Sequence, residues 1–553
     1  MSATKSNNHQ STTTNPRSQA MTATKSTPTN REVPRASADR RRWKTLAVLC
    51  LSLLITVLDT TVVNIALPTL DRTLHASSSG LEWIVDAYTL VFAGLLMLGG
   101  ALGDRYGRHR ALPAGLLIFG AGSVIAASAG SVSQLIVARA AMGAGAALVM
   151  PATLSILTGV FTDPAERAKA IGIWSGVSGL GVAVGPTLGG LLLEHFAWSS
   201  IFLINIPVVV VALIAGRRLV PASRAPKAPR IDITGASLSV AGLSALTYTL
   251  IQAPSNGWTS SSTLLTGVLA AGLLVAFVTQ QIRRSDPLID LRLFANPRFS
   301  AASGGVMALF FALTAATFVL TQIYQFVLGY SPLAAGLRAL APALMVAIAA
   351  PIGAKIAEAR GPRLPITTGL LLATGGLCLF TTGNPNAGYL HYMIAMTFVG
   401  LGIGLSMAPA THSIMSSVPS AKAGVGSAIN DTTRNLGGVL GVAIVGSVVA
   451  TSYKTGLTPA TTHLRRHLQA LVGQSVGLAT EIGKHIPGSL GHQIIISAHH
   501  AFVHAADQGV LIAAGVTLAG AIVAVRCLPA PARVPNPARQ PLDTTEQPAA
   551  ATA

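Results

Sequence analysis

Cysteine is nearly missing from this chain: three occur in 553 residues, Cys50, Cys378 and Cys527, each in or beside an apolar stretch and none at a pairing or ligand spacing. Neither a disulfide framework nor a metal site is expected from them. Charge is scarce as well. Asp, Glu, Lys and Arg make up only 10% of the residues, and acids are outnumbered 19 to 38. No Gly-x-x-x-x-Gly-Lys-Ser/Thr phosphate cradle occurs, so no ATP motor is evident. A catalytic constellation and a large soluble domain are equally missing, so the chain does not read as an enzyme, and no cofactor is expected.

What the chain has instead is apolar length. Hydrophobic residues make up 51% of the sequence, and the mean hydropathy is +0.58. Runs of roughly 20 apolar residues recur, the length that crosses a hydrocarbon core about 30 Å thick. Fourteen such runs are found, from 45–67 to 507–528. A soluble core buries a few helices of this kind and not fourteen, so the predicted fold class is an all-α polytopic membrane protein with the lipid bilayer as its solvent.

The charges support that count. With residues 1–44 on the cytoplasmic side and every run crossing, only Arg72, Arg338, Lys454, Arg465, Arg466 and Lys484 of the 38 basic residues fall outside, and Arg139 lies within a span. The loops after even-numbered runs are all basic. Orientation therefore accounts for the net charge of +19, with no nucleic-acid partner required. No obligate protein partner is evident. Residues 1–43 and 529–553, polar and rich in Ser, Thr, Pro or Ala, are predicted to be disordered cytoplasmic tails.

Between the second and third runs lies a charged knot, Gly100-Ala-Leu-Gly103-Asp104-Arg105-Tyr106-Gly107-Arg108-His109-Arg110. A weaker echo, Gly353 to Arg363, follows the tenth run, with Glu358 three residues before Gly361 as Asp104 is three before Gly107. Glycine-rich runs five and thirteen show the same offset of eight. Two six-helix halves are predicted, 44–220 and 299–528, with two helices inserted at 231–283 and an extracellular loop at 453–505. Weak internal symmetry of this sort marks secondary transporters, whose sites lie between the halves.

Several residues stand out against the apolar background. Asp59, in the first run, lies roughly 12 Å deep at about 1.5 Å per residue. A carboxylate there must be paired or face a wet cavity, and burial favours its neutral form, so it is placed to load and release a proton. A structural hydrogen bond to a neighbouring helix is the alternative. Arg139, on the fourth run, is the expected partner, unless it snorkels to the interface. Glu82 and Asp86 form an i, i+4 pair on the second run, as an outer vestibule or as solvated helix-end residues, and Asp86 competes with Asp59 for the proton role. Gly181, Gly185 and Gly189, joined by Pro186 and Gly190, give the fifth run a smooth, bent face for close packing or for sliding. Phe311, Phe318, Gln322 and Gln325 line one face of the ninth run, suited to a bulky amphiphile or simply packed. Seven of the thirteen histidines fall in 453–505, including His463 and His467 at i, i+4, but without Cys or acidic co-ligands no metal site is expected.

The ordered set Leu58-Asp-Thr-Thr-Val-Val-Asn-Ile-Ala-Leu-Pro68, the Gly100–Arg110 knot, Arg139 with Gly143 and Gly145, the Gly185-Pro186-x-x-Gly189-Gly190 ladder, Gly329-Tyr-Ser-Pro-Leu-Ala-Ala-Gly336-Leu and Ser427-Ala-Ile-Asn430-Asp-Thr-Thr-Arg434 resembles the fourteen-spanner drug:proton antiporters of the EmrB/QacA group, in the major facilitator superfamily. The resemblance covers about residues 43–450 and the last run. It implies alternating access and export of a hydrophobic small molecule, such as an antibiotic, driven by the proton motive force at the plasma membrane. It also implies a cytoplasmic gate at Gly100, Asp104, Arg105, Gly107 and Arg108, with Arg139 near the proton site. Transport of an endogenous metabolite on the same scaffold is the alternative. Trp198-Ser-Ser-Ile-Phe202 departs from the family in lacking an arginine after the tryptophan, and 453–505 is longer than the family leads one to expect.

Overall fold

The computed structural model describes residues 35–221, 232–284, 287–383, 385, 387–418, 423–462 and 464–528. Most of the two expected tails, and with them Arg224, Lys422 and His463, lie outside the described residues. The described residues form helices and short connections, with no strand among them.

Fourteen helices are long and apolar enough to cross a membrane. The first six are α1 (Arg41–Leu74), α2 (Ser78–Tyr106), α3 (Arg108–Ala127), α4 (Val132–Val160), α5 (Lys169–His195) and α6 (Ser200–Leu219). Two follow as a hairpin, α7 (Ile233–Asn256) and α8 (Ser261–Arg283). The last six are α9 (Pro297–Val327), α10 (Pro332–Arg360), α11 (Arg363–Phe380), α12 (Tyr389–Ser416), α13 (Ile429–Thr458) and α14 (Ser489–Cys527).

Local chemistry starts and stops these helices. Ser77, Ser131, Asp163, Ser260 and Ser331 each cap a helix by accepting from a backbone N–H three residues on. Gly107 and Gly361, the matched glycines of the knot and its echo, take φ of +106° and +78° at the ends of α2 and α10. A side chain at either position would be strained by that backbone. Asp232 ties the α7–α8 hairpin together: it caps α7 through Gly235 N–H at 2.9 Å, accepts from Gln281 Nε2 at 2.8 Å and Gln280 Nε2 at 3.0 Å, and pairs with Arg284 at 3.2 Å. Burial pushes its carboxyl up, but these four donors outweigh burial and hold it below the usual carboxylate range.

Packing repeats with the offset of eight. In the first half α1 packs on α5 and α6, α2 on α4, and α3 on α4 and α6; in the second, α9 packs on α13 and α14, α10 on α12, and α11 on α12 and α14. Glycines make the closest of these approaches, Gly99 against the Ala147 backbone and Gly353 against that of Leu405. The inserted hairpin lies against α2 and α13.

Two expectations need correction. Residues 35–43 are helical and not part of a tail: the helix that carries the α1 span begins at Arg35. Its first polar turns find partners: Arg41 donates to Arg218 O at 3.1 Å and Arg42 pairs with Glu166 at 2.8 Å. Nor is 453–505 a loop. The α13 helix continues to Thr461, two short helices follow at Arg466–Val472 and Val476–His485, and α14 begins at Ser489. Tyr453 holds this segment down, its Oη within hydrogen-bond reach of Val472 O at 3.0 Å and Ser475 O at 3.3 Å. The molecule thus has an arginine-rich end, at the α2–α3 turn, and a histidine-rich end, around the 453–505 segment.

Candidate functional site: a buried ion pair among five helices

Asp59 and Arg139 meet inside the first half. Their side chains are each 1% exposed, and Arg139 Nη1 donates to Asp59 Oδ2. The second carboxylate oxygen, Oδ1, accepts from Asn205 Nδ2 on α6 at 3.4 Å, and the same amide donates to Ser123 Oγ on α3 at 2.8 Å. Arg139 has further support from α2: its Nε donates to Ile84 O at 3.1 Å, and its guanidinium carbon lies 4.4 Å from the centre of the Tyr88 ring. Tyr88 is itself fixed by donating to Thr56 O at 3.1 Å. Arg139 is therefore held by a carbonyl and an aromatic face as well as by Asp59.

Asn205 was missed in the sequence. The one signal it offers is an amide in an otherwise apolar run, Ile204-Asn-Ile-Pro207.

Glu82 and Asp86 are not solvated helix-end residues: both are 1% exposed, and Glu82 lies against Gly446 of α13. Glu82 Oε2 and both Asp86 carboxylate oxygens have no hydrogen-bond partner among the described residues. The structure does not bring either into the Asp59–Arg139 pair.

The glycine ladder of α5 divides between two neighbours. Gly181, Gly185 and Gly189 lie against Val57, Thr61 and Val62 of α1, while Gly190 meets the Pro332–Leu333 backbone of α10 and Pro186 meets Gly336. The ladder thus touches its own half along one face and the other half at the histidine-rich end.

At the arginine-rich end, Asp104 pairs with Arg108 at 2.8 Å, one turn along. Arg108 also donates to Ser155 O on α4 at 3.1 Å, and Arg105 stacks near Tyr106 at 6.0 Å. Gly100 faces Pro151 of α4. These contacts stay within the first half.

Phe311, Phe318, Gln322 and Gln325 are buried. Gln325 Nε2 donates across the halves to Ile65 O at 2.9 Å, from a π-helical turn at Ile323–Val327, and Gln322 donates to Phe318 O at 3.3 Å. Gln325 thus ties α9 to α1, whereas Gln322 bonds within its own helix. Among the described residues no three His, Cys, Asp or Glu side chains converge as metal ligands.

Comparison with known proteins agrees with this architecture. The sequence matches the Major Facilitator Superfamily over residues 49–442. It is 34% identical to the multidrug efflux pump LfrA of Mycolicibacterium smegmatis over 87% of this chain and 95% of that protein. It is 38% identical to the puromycin resistance protein pur8 of Streptomyces alboniger, over 76% of this chain and 84% of that one. With the methyl viologen resistance protein SmvA of Salmonella typhimurium it shares 35% identity over 84% and 93%. Among solved structures, a bacterial homolog of the human lysosomal transporter Spinster, inward-facing and occupied, superposes with a TM-score of 0.61 at 18% identity, covering 88% of this chain and 97% of that one. The chain is a multi-pass membrane protein of the Major Facilitator Superfamily.

Proposed function

We propose that this protein exports hydrophobic small molecules, antibiotics among them, across the plasma membrane in exchange for protons. The observation that carries the reading is the Asp59–Arg139–Asn205 cluster: a carboxyl in the membrane interior, held by two other helices, in a chain whose relatives are named for drug efflux and resistance. Asp59 carries the coupling proton, Arg139 and Asn205 hold it in place, and Asp86 is the competing carrier. The energy is adequate. Each charge moved yields about 2.3 kcal/mol per 100 mV, and each pH unit about 1.4 kcal/mol more.

The arginine-rich end faces the cytoplasm, together with both termini, since basic loops are retained there. Gly100, Asp104, Arg105, Gly107 and Arg108 form the inner gate, drawn together across the halves when the transporter faces outward. The structure is consistent with the opposite state: contacts between halves, such as Gln325 with Ile65 and Ser331 with Glu194 at 3.1 Å, gather at the histidine-rich end.

Everted membrane vesicles test the reading. Acidifying the lumen should drive drug uptake, and an uncoupler should abolish it; uptake that ignores the uncoupler would remove proton exchange from the account. Uptake of a metabolite in preference to any drug would favour the alternative on the same scaffold. For orientation, a cysteine at Arg224 should resist a membrane-impermeant label applied to intact cells.

A further inference from the structure

The motif Gly329-Tyr-Ser-Pro-Leu-Ala-Ala-Gly336-Leu, which the efflux reading leaves without a task, gathers tyrosines at the histidine-rich end. The π-helical turn Ile323–Val327 ends α9 and carries Tyr324. Gly329, at φ +68°, then reverses the chain, and Tyr330 N–H donates back to Tyr324 O at 2.9 Å. The two rings meet edge to face with their centres 6.0 Å apart. Tyr389, the first residue of α12, brings a third ring to 6.0 Å from Tyr324. Tyr392, one turn on, lies 6.5 Å from Tyr324 and packs on Phe380 of α11 at 5.0 Å. Tyr324 and Tyr392 are buried, whereas Tyr330 and Tyr389 are half-buried. Two fixed inner rings thus support two that reach the surface.

One cation occupies this aromatic box, and it belongs to the chain. Arg338, near the start of α10, sets its guanidinium carbon 4.0 Å from the centre of the Tyr330 ring and 5.2 Å from that of Tyr389. Its other contacts are few. Nη1 donates to Ala334 O of its own helix at 3.0 Å, Nε has no hydrogen-bond partner, and no carboxylate pairs with it among the described residues. The rings therefore hold Arg338 by charge and face, without the directed hydrogen bonds that a guanidinium is built to make. Arg338 is itself half-buried, so its flexible stem can carry the head to water while the helix stays in place.

We propose that Tyr330 and Tyr389, backed by Tyr324, form a binding site for organic cations, with Arg338 as its tethered and displaceable occupant. A quaternary ammonium suits this box better than a guanidinium does. It has no N–H to leave unpaired on burial, and the electron-rich ring faces attract it in the same way.

The site is separate from the Asp59 cluster, which lies in the first half. It adjoins a contact between the halves: Gly336, two residues before Arg338, packs on the Pro186 backbone of α5, and Thr187 Oγ1 lies 3.4 Å from Gly336 O. Under the efflux reading this is the side on which exported molecules are released. Binding at the box does not depend on that reading, because it is measured without transport.

Saturation-transfer NMR with tetramethylammonium on the detergent-purified full chain tests the site, at constant ionic strength set by sodium chloride. This cation is too hydrophilic to enter the micelle. Arg338 fills the box in the wild type, so the apparent affinity is reduced by the fraction of molecules in which the box is free. With about nine boxes in ten filled, Arg338→Gln should tighten binding about tenfold. Adding Tyr330→Leu or Tyr389→Leu to that variant should abolish the gain. Tyr330→Phe and Tyr389→Phe should keep it, since the ring face and not the hydroxyl binds the cation. Equal affinity in the wild type and Arg338→Gln would overturn the proposal, and that comparison stands even where a leucine variant fails to fold. A gain that survives both leucine substitutions would overturn it as well, leaving Arg338 to fasten α10 to α12. Loss of proton-driven drug uptake in everted vesicles bears on the efflux reading alone.

Discussion

Asn205 Nδ2 on α6 lies 3.4 Å from Asp59 Oδ1 on α1 and 2.8 Å from Ser123 Oγ on α3, so one amide links the carboxyl to a third helix. A donor aimed at a carboxylate favours its charged form, and the loss of such a buried bond costs about 1.5–3 kcal/mol. Asn205→Ala should therefore make Asp59 easier to protonate. The pH profile of drug uptake in everted vesicles should move to higher pH, with expression retained. An unmoved profile would leave Asn205 with a packing role only.

Asp59→Asn keeps size and much of the hydrogen bonding but removes titration. Substrate should still bind, while drug-driven proton release from detergent-purified protein disappears. Asp86→Asn is the comparison, because Asp86 is equally buried but lies outside the pair. The reverse pattern would transfer the coupling role to Asp86.

Gly185 sits against the Thr61 side chain, whereas Gly176, on the same helix, has nothing within 4 Å of where a methyl would stand. Gly185→Ala should destabilise by about 1–3 kcal/mol, as overpacking does. Gly176→Ala should be near neutral or slightly stabilising. Thermal unfolding of the two purified variants compares them directly.

The Asp104–Arg108 pair is partly exposed, with side chains 30% and 24% accessible, and it closes a single helical turn. Such a pair contributes at most about 1 kcal/mol to stability. Asp104→Asn should leave expression and melting temperature almost unchanged and slow transport severalfold, because the loss falls on the outward-facing state. Full turnover would reduce the knot to a determinant of topology.

Asp232 is held below the ordinary carboxylate range, so it contributes stability that is complete above that range and lost as pH falls through its lowered value. Asp232→Asn should lower thermal stability at pH 7. The difference from wild type should shrink on acidification and vanish once the native carboxyl is protonated. A constant difference across pH would mean that shape, and not charge, ties the α7–α8 hairpin together.

The sequence by itself determined the bilayer, the fourteen crossings and the offset of eight helices between the halves, because each depends on one-dimensional properties: the length of an apolar run, the side on which arginines collect, and a glycine needed where the chain reverses, as at Gly107 and Gly361. It also singled out Asp59 and Arg139, since an ionisable residue in an apolar run is conspicuous. Tertiary structure alone decided what those residues meet. Asn205 and Ser123 join Asp59 only because α3 and α6 pack side by side, a distance of 82 residues along the chain. Glu82 reads from the sequence equally as a vestibule residue or a solvated helix end, and its contact with Gly446 of α13 decides its burial; 453–505 reads as a loop because its polar residues hide the contacts of Tyr453 and Ser475. Burial is a property of neighbours, and the neighbours here come from the other end of the chain.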